Sequence, residues 1–218
     1  MTETPIRSED QETTPTDGHE VAEYALLGLL REGPRHGYRL AAEFSPNGRL
    51  GIILRLKMGQ MYAYLRKLER QRLLMAHDEP GQMAGRTRRV FAWTPTGQRA
   101  FEAWLAAPVE ATRDLRLGFL IKLAFTLEDP PTALALLDSQ RAATTAWLAR
   151  LRAHGLDLGS EVTTQATLRW LAQRRRVLQT EAALTWLEET RALLVPSASA
   201  ASNPSSSAGE AGSGASDR

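Results

Sequence analysis

The chain of 218 residues contains no cysteine. Disulfides and thiolate metal or redox sites are therefore excluded, and the compartment is left open. Aromatic residues are scarce, at 6%. No apolar run approaches the roughly 20 residues that span a bilayer. The first residues, Met1 to Pro15, are polar and acidic and lack the apolar stretch of a secretory signal. A cytoplasmic protein without a membrane segment is expected by default. Histidines are few and scattered, at His19, His36, His77 and His154, with no pair at metal-ligand spacing. Nucleophile-elbow, zinc-protease and phosphate-loop patterns are absent. The sequence thus points away from an enzyme, and no cofactor or metal is expected.

What the chain does have is an ordinary apolar content of 43%, enough for one or two small domains. It also has an uneven charge. The formal net charge is only +2, yet Arg55, Lys57, Arg66, Lys67, Arg70, Arg72, Arg86, Arg88 and Arg89 fall within one stretch, opposed only by Glu69, Asp78 and Glu79. A cationic segment in a nearly neutral chain is the footprint of a phosphate-bearing partner.

The elements around that stretch are legible. Residues 1–18 are rich in Thr, Glu, Asp and Pro and have too little apolar surface to offset the entropy of ordering. Glu20 to Arg31 reads as a first helix that is apolar almost all round, so it needs cover from its own domain and from another helix or another subunit. Gly33-Pro34 ends it. A short second helix, about Tyr38 to Ser45, is expected to turn Tyr38, Leu40, Ala41 and Phe44 inward. A third helix, Met58 to Arg72, places Met61, Leu65 and Leu68 on one stripe. Its other side carries Lys57, Gln60, Tyr62, Ala63, Arg66, Lys67 and Arg70. Strands at Leu73–Asp78 and Arg89–Trp93 enclose a tip, Pro80 to Gly85, from which Arg86, Thr87, Arg88 and Arg89 lead away. Thr94 and Pro95 open a fourth helix as cap and first position, with Phe101, Trp104 and Leu105 on its inner face.

After Thr112 the composition changes. Helices are expected at Arg113–Leu127, Pro131–His154 and Ser160–Leu194. In the last, Trp170, Val177 and Leu184 recur every seven residues, with Leu171 and Leu178 in the next row, a seam suited to pairing. Arg174, Arg175 and Arg176 read as a solvated face beside it. Beyond Pro196 the chain is a Ser/Ala/Gly-rich tail.

The expected architecture is mainly α with a small β-hairpin wing. An N-terminal winged helix-turn-helix (19–108) precedes a C-terminal α-helical dimerisation region (109–195), between disordered tails (1–18 and 196–218). Duplex DNA is the expected partner. Lys57, Arg66 and Lys67 would meet phosphates; Gln60, Tyr62 and Ala63 would face the groove; Arg86 and Arg88 would reach from the wing. Gln60 can pair bidentately with adenine. The competing reading is a winged-helix protein-interaction module without operator-specific DNA binding. An RNA binder would need aromatic stacking motifs that the chain lacks.

Several pieces in this order resemble the PadR family of transcriptional regulators: Glu23-Tyr24-Ala25-Leu26-Leu27-Gly28-Leu29-Leu30, His36-Gly37-Tyr38-Arg39-Leu40, Gly59-Gln60-Met61-Tyr62, Leu65, Leu68-Glu69, Leu73-Leu74, Gly85 to Phe91, and Trp93 to Gly97. They cover about Glu20 to Leu105. Leu117 to Leu123 is similar to the family's dimerisation region. The resemblance implies a homodimer formed through the first helix and the C-terminal helices, and a repressor of a pseudo-palindromic operator. It implies release by a small aromatic compound or another signal. It also places Gln60 and Tyr62 where family members touch DNA, and Arg86 and Arg88 on the wing. Two departures stand out: Lys57 occupies a place where a small hydroxyl residue is common, and Arg72 one where glycine is usual. Trp104, Phe119, Phe125, Trp147, Trp170 and Trp186 could line a ligand pocket, although aromatics at helical spacing are more often core.

Overall fold

A computed structural model describes residues 18–80, 87–153 and 163–201. Its elements, in order, are α1 (Gly18–Gly28), β1 (Arg35–His36), α2 (Gly37–Glu43), α3 (Met58–Arg70), β2 (Leu74–Pro80), β3 (Thr87–Trp93), α4 (Pro95–Ala106), a 3-10 turn (Thr112–Arg116), α5 (Gly118–Ala124), α6 (Pro130–Ala153) and α7 (Thr164–Ala201). The protein is mostly helical with a small antiparallel sheet, the winged-helix arrangement expected from the sequence.

The sheet has three strands rather than two, in the order β1-β3-β2. β2 and β3 pair from Leu74↔Trp93 to Pro80↔Thr87, and Arg35 and His36 pair with Phe91 and Val90. The two-residue β1 lies in a stretch that reads as a turn, because so short a strand carries no alternation to detect. Its pairing ties the start of α2 to the wing.

α1 owes its cover to its own chain. Val21, Ala22, Ala25, Leu26 and Leu27 are fully buried, beneath α3, α4 and α5. Within the chain, α5 supplies the further helix that its all-round apolarity demands. Gly28 ends the regular helix. A Cβ there would lie 2.5 Å from Phe125 and 2.7 Å from Phe101, so only glycine admits both rings. Those rings meet edge to face, with centroids 5.4 Å apart. Beyond Gly28 the chain tightens into turns, with Leu30 N–H donating to Leu27 O and Gly33 N–H to Leu30 O. Gly33 adopts φ +124°, a conformation that suits glycine.

α2 corrects one expectation. Leu40 and Phe44 point inward, but Tyr38 is 52% exposed. Its ring stacks on His36, 5.5 Å away, instead of entering the core.

Two apolar cores share α5. The first gathers Leu26, Leu40, Met61, Leu65, Leu68, Leu74, Phe91 and Phe101 with Ile121 and Phe125. The second gathers Val109, Leu115, Phe119, Leu123, Leu136, Leu137 and Leu187. The helix expected at Arg113–Leu127 is broken at Leu117 (φ −119°, ψ −64°). There Gly118 lets Val109 and Val21 approach, within 3.3 and 3.6 Å of where its Cβ would be.

α6 and α7 form an antiparallel hairpin. Ion pairs join Arg191 to Asp138 and Arg152 to Glu181, each at 2.8 Å. Gln140, fully buried on α6, accepts from Val109 N–H at 2.8 Å and donates to Val109 O at 3.3 Å. It thereby satisfies the linker backbone as a strand neighbour would. α7 runs past Pro196 to Ala201. The one hydrogen bond that proline forfeits does not end it, and the boundary expected at 195 falls inside this helix.

Candidate nucleic-acid interface

α3 is the centre of the candidate site. Met61, Leu65 and Leu68 are buried and face α1, α2 and β2. Helical spacing then puts Gly59, Ala63, Arg66 and Arg70 on the opposite side, and all four are exposed. Lys57 holds the N-cap position, makes no side-chain cap bond, and is exposed as well. No Cβ contact would arise at Gly59 within 4 Å, so the first turn of this face is flat and open.

The end of α3 is defined by backbone bonds. Leu73 N–H donates to Leu68 O and Arg72 N–H to Glu69 O. That pair of bonds is the Schellman closure, which needs a left-handed residue. Arg72 supplies it at φ +58°, so arginine takes the conformation usual for glycine and the helix stops sharply. Thr94 locks the next connection. Its Oγ1 donates to Arg72 O at 2.7 Å and accepts from Gly97 N–H at 3.0 Å.

Side chains on the flanks of α3 are committed elsewhere. Gln60 Oε1 accepts from the N–H of Lys57 at 3.3 Å, capping the helix start. Bidentate pairing with adenine would require it to give up that bond. Tyr62 is half-buried against the start of α2, where a Cβ on Gly37 would sit 2.4 Å from its hydroxyl oxygen. Lys67 is exposed too, and its ammonium lies 2.6 Å from Glu23 Oε1 on α1. The lysine is one residue on from Arg66, about 100° around the helix, which brings it toward the α1 packing surface. The remaining acid of α3, Glu69, accepts two bonds from Arg89 Nη2, at 2.8 and 2.9 Å.

Arg88 is exposed on β3. Glu79 stands opposite it in register, but that carboxylate contacts His77 at 3.1 Å. Arg86 and the tip from Gly81 lie outside the described residues. A neighbour not anticipated from sequence is the pair Tyr38 and Arg39 on α2, both exposed. The Arg39 guanidinium, hydrogen-bonded to the Tyr38 hydroxyl, holds the phenol below its usual range, and Arg88 adds to this. The clue was Tyr38 beside Arg39 in a turn-like stretch, but helical spacing assigned the ring to the core.

Among the described residues, the aromatics that could line a ligand pocket mostly pack as core, the commoner reading of their spacing. Trp104 stacks on Tyr24 at 4.9 Å, Phe119 meets Trp186 edge to face, Phe125 packs on Phe101, and Trp147 borders the second core. A separate apolar cavity of about 290 Å³ lies between α4 and α6, lined by Glu102, Leu105, Ala106, Thr126, Ala135 and Leu136 among others. Among the described residues no cluster of His, Asp or Glu could hold a metal ion, and no helix is long and apolar enough to cross a membrane.

No curated protein matches the chain. Solved structures do, with low overall superposition. Bacillus subtilis PadR in complex with operator DNA is 22% identical, over 81% of this chain and 99% of its own, with TM-score 0.41. The same protein in complex with p-coumaric acid gives 22%, 82%, 97% and 0.37. The circadian clock associated protein Pex from anabaena is 25% identical over 39% of this chain and 71% of its own, with TM-score 0.34. The sequence profile of the Transcriptional regulator PadR-like family matches residues 26–103, the span from α1 through most of α4. Over those residues the chain is similar to the Transcriptional regulator PadR-like family.

Proposed function

We propose that the chain is a cytoplasmic, DNA-binding transcriptional repressor that acts as a homodimer and is released by a small molecule or another signal. The observation that carries the DNA-binding part is the charge of the α3 face. Arg66 and Arg70 stand outward beside the flat surface of Gly59 and Ala63, with Lys57 at the helix start and Arg88 on the wing. Glu69, the acid within α3, is neutralised by Arg89. The face that remains is cationic and sterically open, as a helix entering a major groove requires.

In this reading the first half of α3 meets base edges through Gln60 and Ala63, with Tyr62 at the side. Lys57 and Arg66 meet phosphates, and Arg86 and Arg88 extend the contact from the wing. Phosphate contacts set position and most of the affinity, while base edges set sequence. Dimerisation supplies the second α3, about one helical turn of DNA away. The surface for it lies on α7, where Leu168, Leu171, Leu178 and Leu193 are 61%, 51%, 48% and 74% exposed. Its apolar row leaves a seam on a helix that otherwise packs on α6. The cavity between α4 and α6 is of a size for a single-ring aromatic compound. It touches both the winged helix and the C-terminal hairpin, so an occupant could bias their relative seating.

Fluorescence anisotropy against duplex DNA from upstream of the chain's own gene, titrated with salt, tests the proposal. Wild-type protein is expected to bind that duplex more tightly than random DNA. An Arg66→Ala/Arg88→Ala variant should lose tenfold or more, with a flatter salt dependence. Equal, salt-insensitive binding by both proteins would refute DNA recognition through this face.

A further inference from the structure

Glu23 is the charged group of the winged-helix half that DNA recognition leaves without a task. It is on α1, only 7% exposed. A carboxylate so placed is costly to hold charged unless it meets a counter-charge. The charge it meets is not on a neighbouring turn: Lys67 comes from the middle of α3, and the two make a contact of 2.6 Å. They share a cleft between α1 and α3 with Glu20, Tyr24, Leu27 and Gln71. Lys67 is adjacent in sequence to Arg66, whose side chain is exposed on the outer face. A lysine stem is long and flexible enough to reach a phosphate from this position if nothing held it.

We propose that Glu23 withholds Lys67 from the DNA backbone and fixes the seat of α3 on α1, making Glu23 a positioning residue for the recognition helix. This rests on the DNA-binding reading above and assigns a regulator of the same site. The consequence is a trade between affinity and selectivity. Each lysine that neutralises a phosphate adds affinity for every duplex alike, through counterion release. Holding one back in each subunit lowers the sequence-independent background and leaves the base-reading surface intact. A shift of α1 that parted the two groups would free the lysine and raise indiscriminate binding.

The test needs no operator, because a random-sequence duplex reports the electrostatic part alone. Binding of the full chain is measured by anisotropy across a salt series for wild type, Glu23→Gln, Lys67→Met, the double variant and Arg66→Ala. Glu23→Gln is expected to bind several-fold more tightly at low salt, with log K against log salt steeper by about 0.9 for each lysine freed. The double variant is expected to lose that gain. Lys67→Met alone should flatten the slope far less than Arg66→Ala. A structural role for the pair would not steepen a salt slope.

The inference is overturned if Lys67→Met flattens the slope as much as Arg66→Ala. It is equally overturned if a folded Glu23→Gln shows no steeper slope. Should Glu23→Gln fail to fold, the comparison of Lys67→Met with Arg66→Ala decides alone. If Arg66→Ala leaves binding and slope untouched, the DNA-binding reading itself has failed and takes this inference with it, a result distinct from the others.

Discussion

The winged-helix half and the α6–α7 hairpin solve the burial problem differently. In the first, the apolar helix is covered within the chain: α1 is enclosed by α3, α4 and α5, and Phe101 sits among Trp93, Trp104 and Phe125, although Ile52, Met58 and Met75 stand exposed. In the second, the helices are longer but the core is thinner. Buried positions include the polar Gln140, Thr144 and Thr180, while Leu168, Leu171, Leu178 and Leu193 face outward. The contrast teaches that self-sufficiency and partner-seeking are divided along the sequence. The exposed apolar row on α7 is the surface the proposed dimer would use.

The strongest way to break this contrast is to charge the outward seam. Leu171→Arg/Leu178→Arg should weaken self-association at least tenfold in sedimentation equilibrium and leave the winged-helix fold intact by circular dichroism. Collapse of the whole fold instead would show that the leucines serve the chain's own core.

A middle-sized effect sharpens the contrast at the junction. Lys122 on α5 is 3% exposed. It donates to Ala107 O and lies 4.7 Å from the Trp104 ring centroid. Burial pulls its ammonium down from 10.5 to about 8, with Glu20 pulling the other way. In the folded chain the proton therefore leaves at lower pH than in the unfolded chain. Between about pH 8 and 10.5 the unfolded state holds more protons, so this residue makes stability rise with pH across that window. Lys122→Met should remove that rise, read as the difference between the two proteins' Tm curves from pH 7 to 10. At pH 7 the variant should melt at least as high as wild type, since a buried charge gives way to an apolar chain.

The smallest effect belongs wholly to the winged-helix half. Arg72 holds φ +58°, which costs a residue with a Cβ about 1–2 kcal/mol. Glycine would relieve this but lose more chain entropy on folding. Arg72→Gly is therefore expected to raise stability by about 0.5 kcal/mol in urea unfolding; a loss of stability would show that the arginine side chain contributes contacts that outweigh the strain.

Much of this was legible beforehand, for physical reasons that differ between elements. The buried stripe of α3 follows from spacing alone. The start of α4 follows from Thr94 and Pro95, because cap chemistry is local. The three-stranded sheet was not legible, since Arg35 and His36 have no pattern of their own and gain meaning only opposite Phe91 and Val90. Tyr38 was misplaced because helical phase cannot say where a short helix stops being covered. Of the expected contact residues, Lys57, Gln60, Ala63, Arg66, Lys67 and Arg88 stand exposed. Lys67 and Tyr62 were drawn to α1 and α2 by partners far away in sequence, which charge counting cannot see. The long C-terminal helices were legible in type, but the break at Leu117 depends on close approach by Val21 and Val109.

One helix makes the two halves inseparable. α5 sends Ile121 into one core, with Phe125 just past its end, and Phe119 and Leu123 into the other. A chain cut after Pro108 would lose Phe125, one of the two rings that close over Gly28, and leave a void beside α1. The winged-helix segment is therefore not a portable module that could be grafted elsewhere as it stands. Heat is expected to melt both halves in one cooperative event, and any strain felt in the hairpin has a direct mechanical route to the helix beneath the recognition surface.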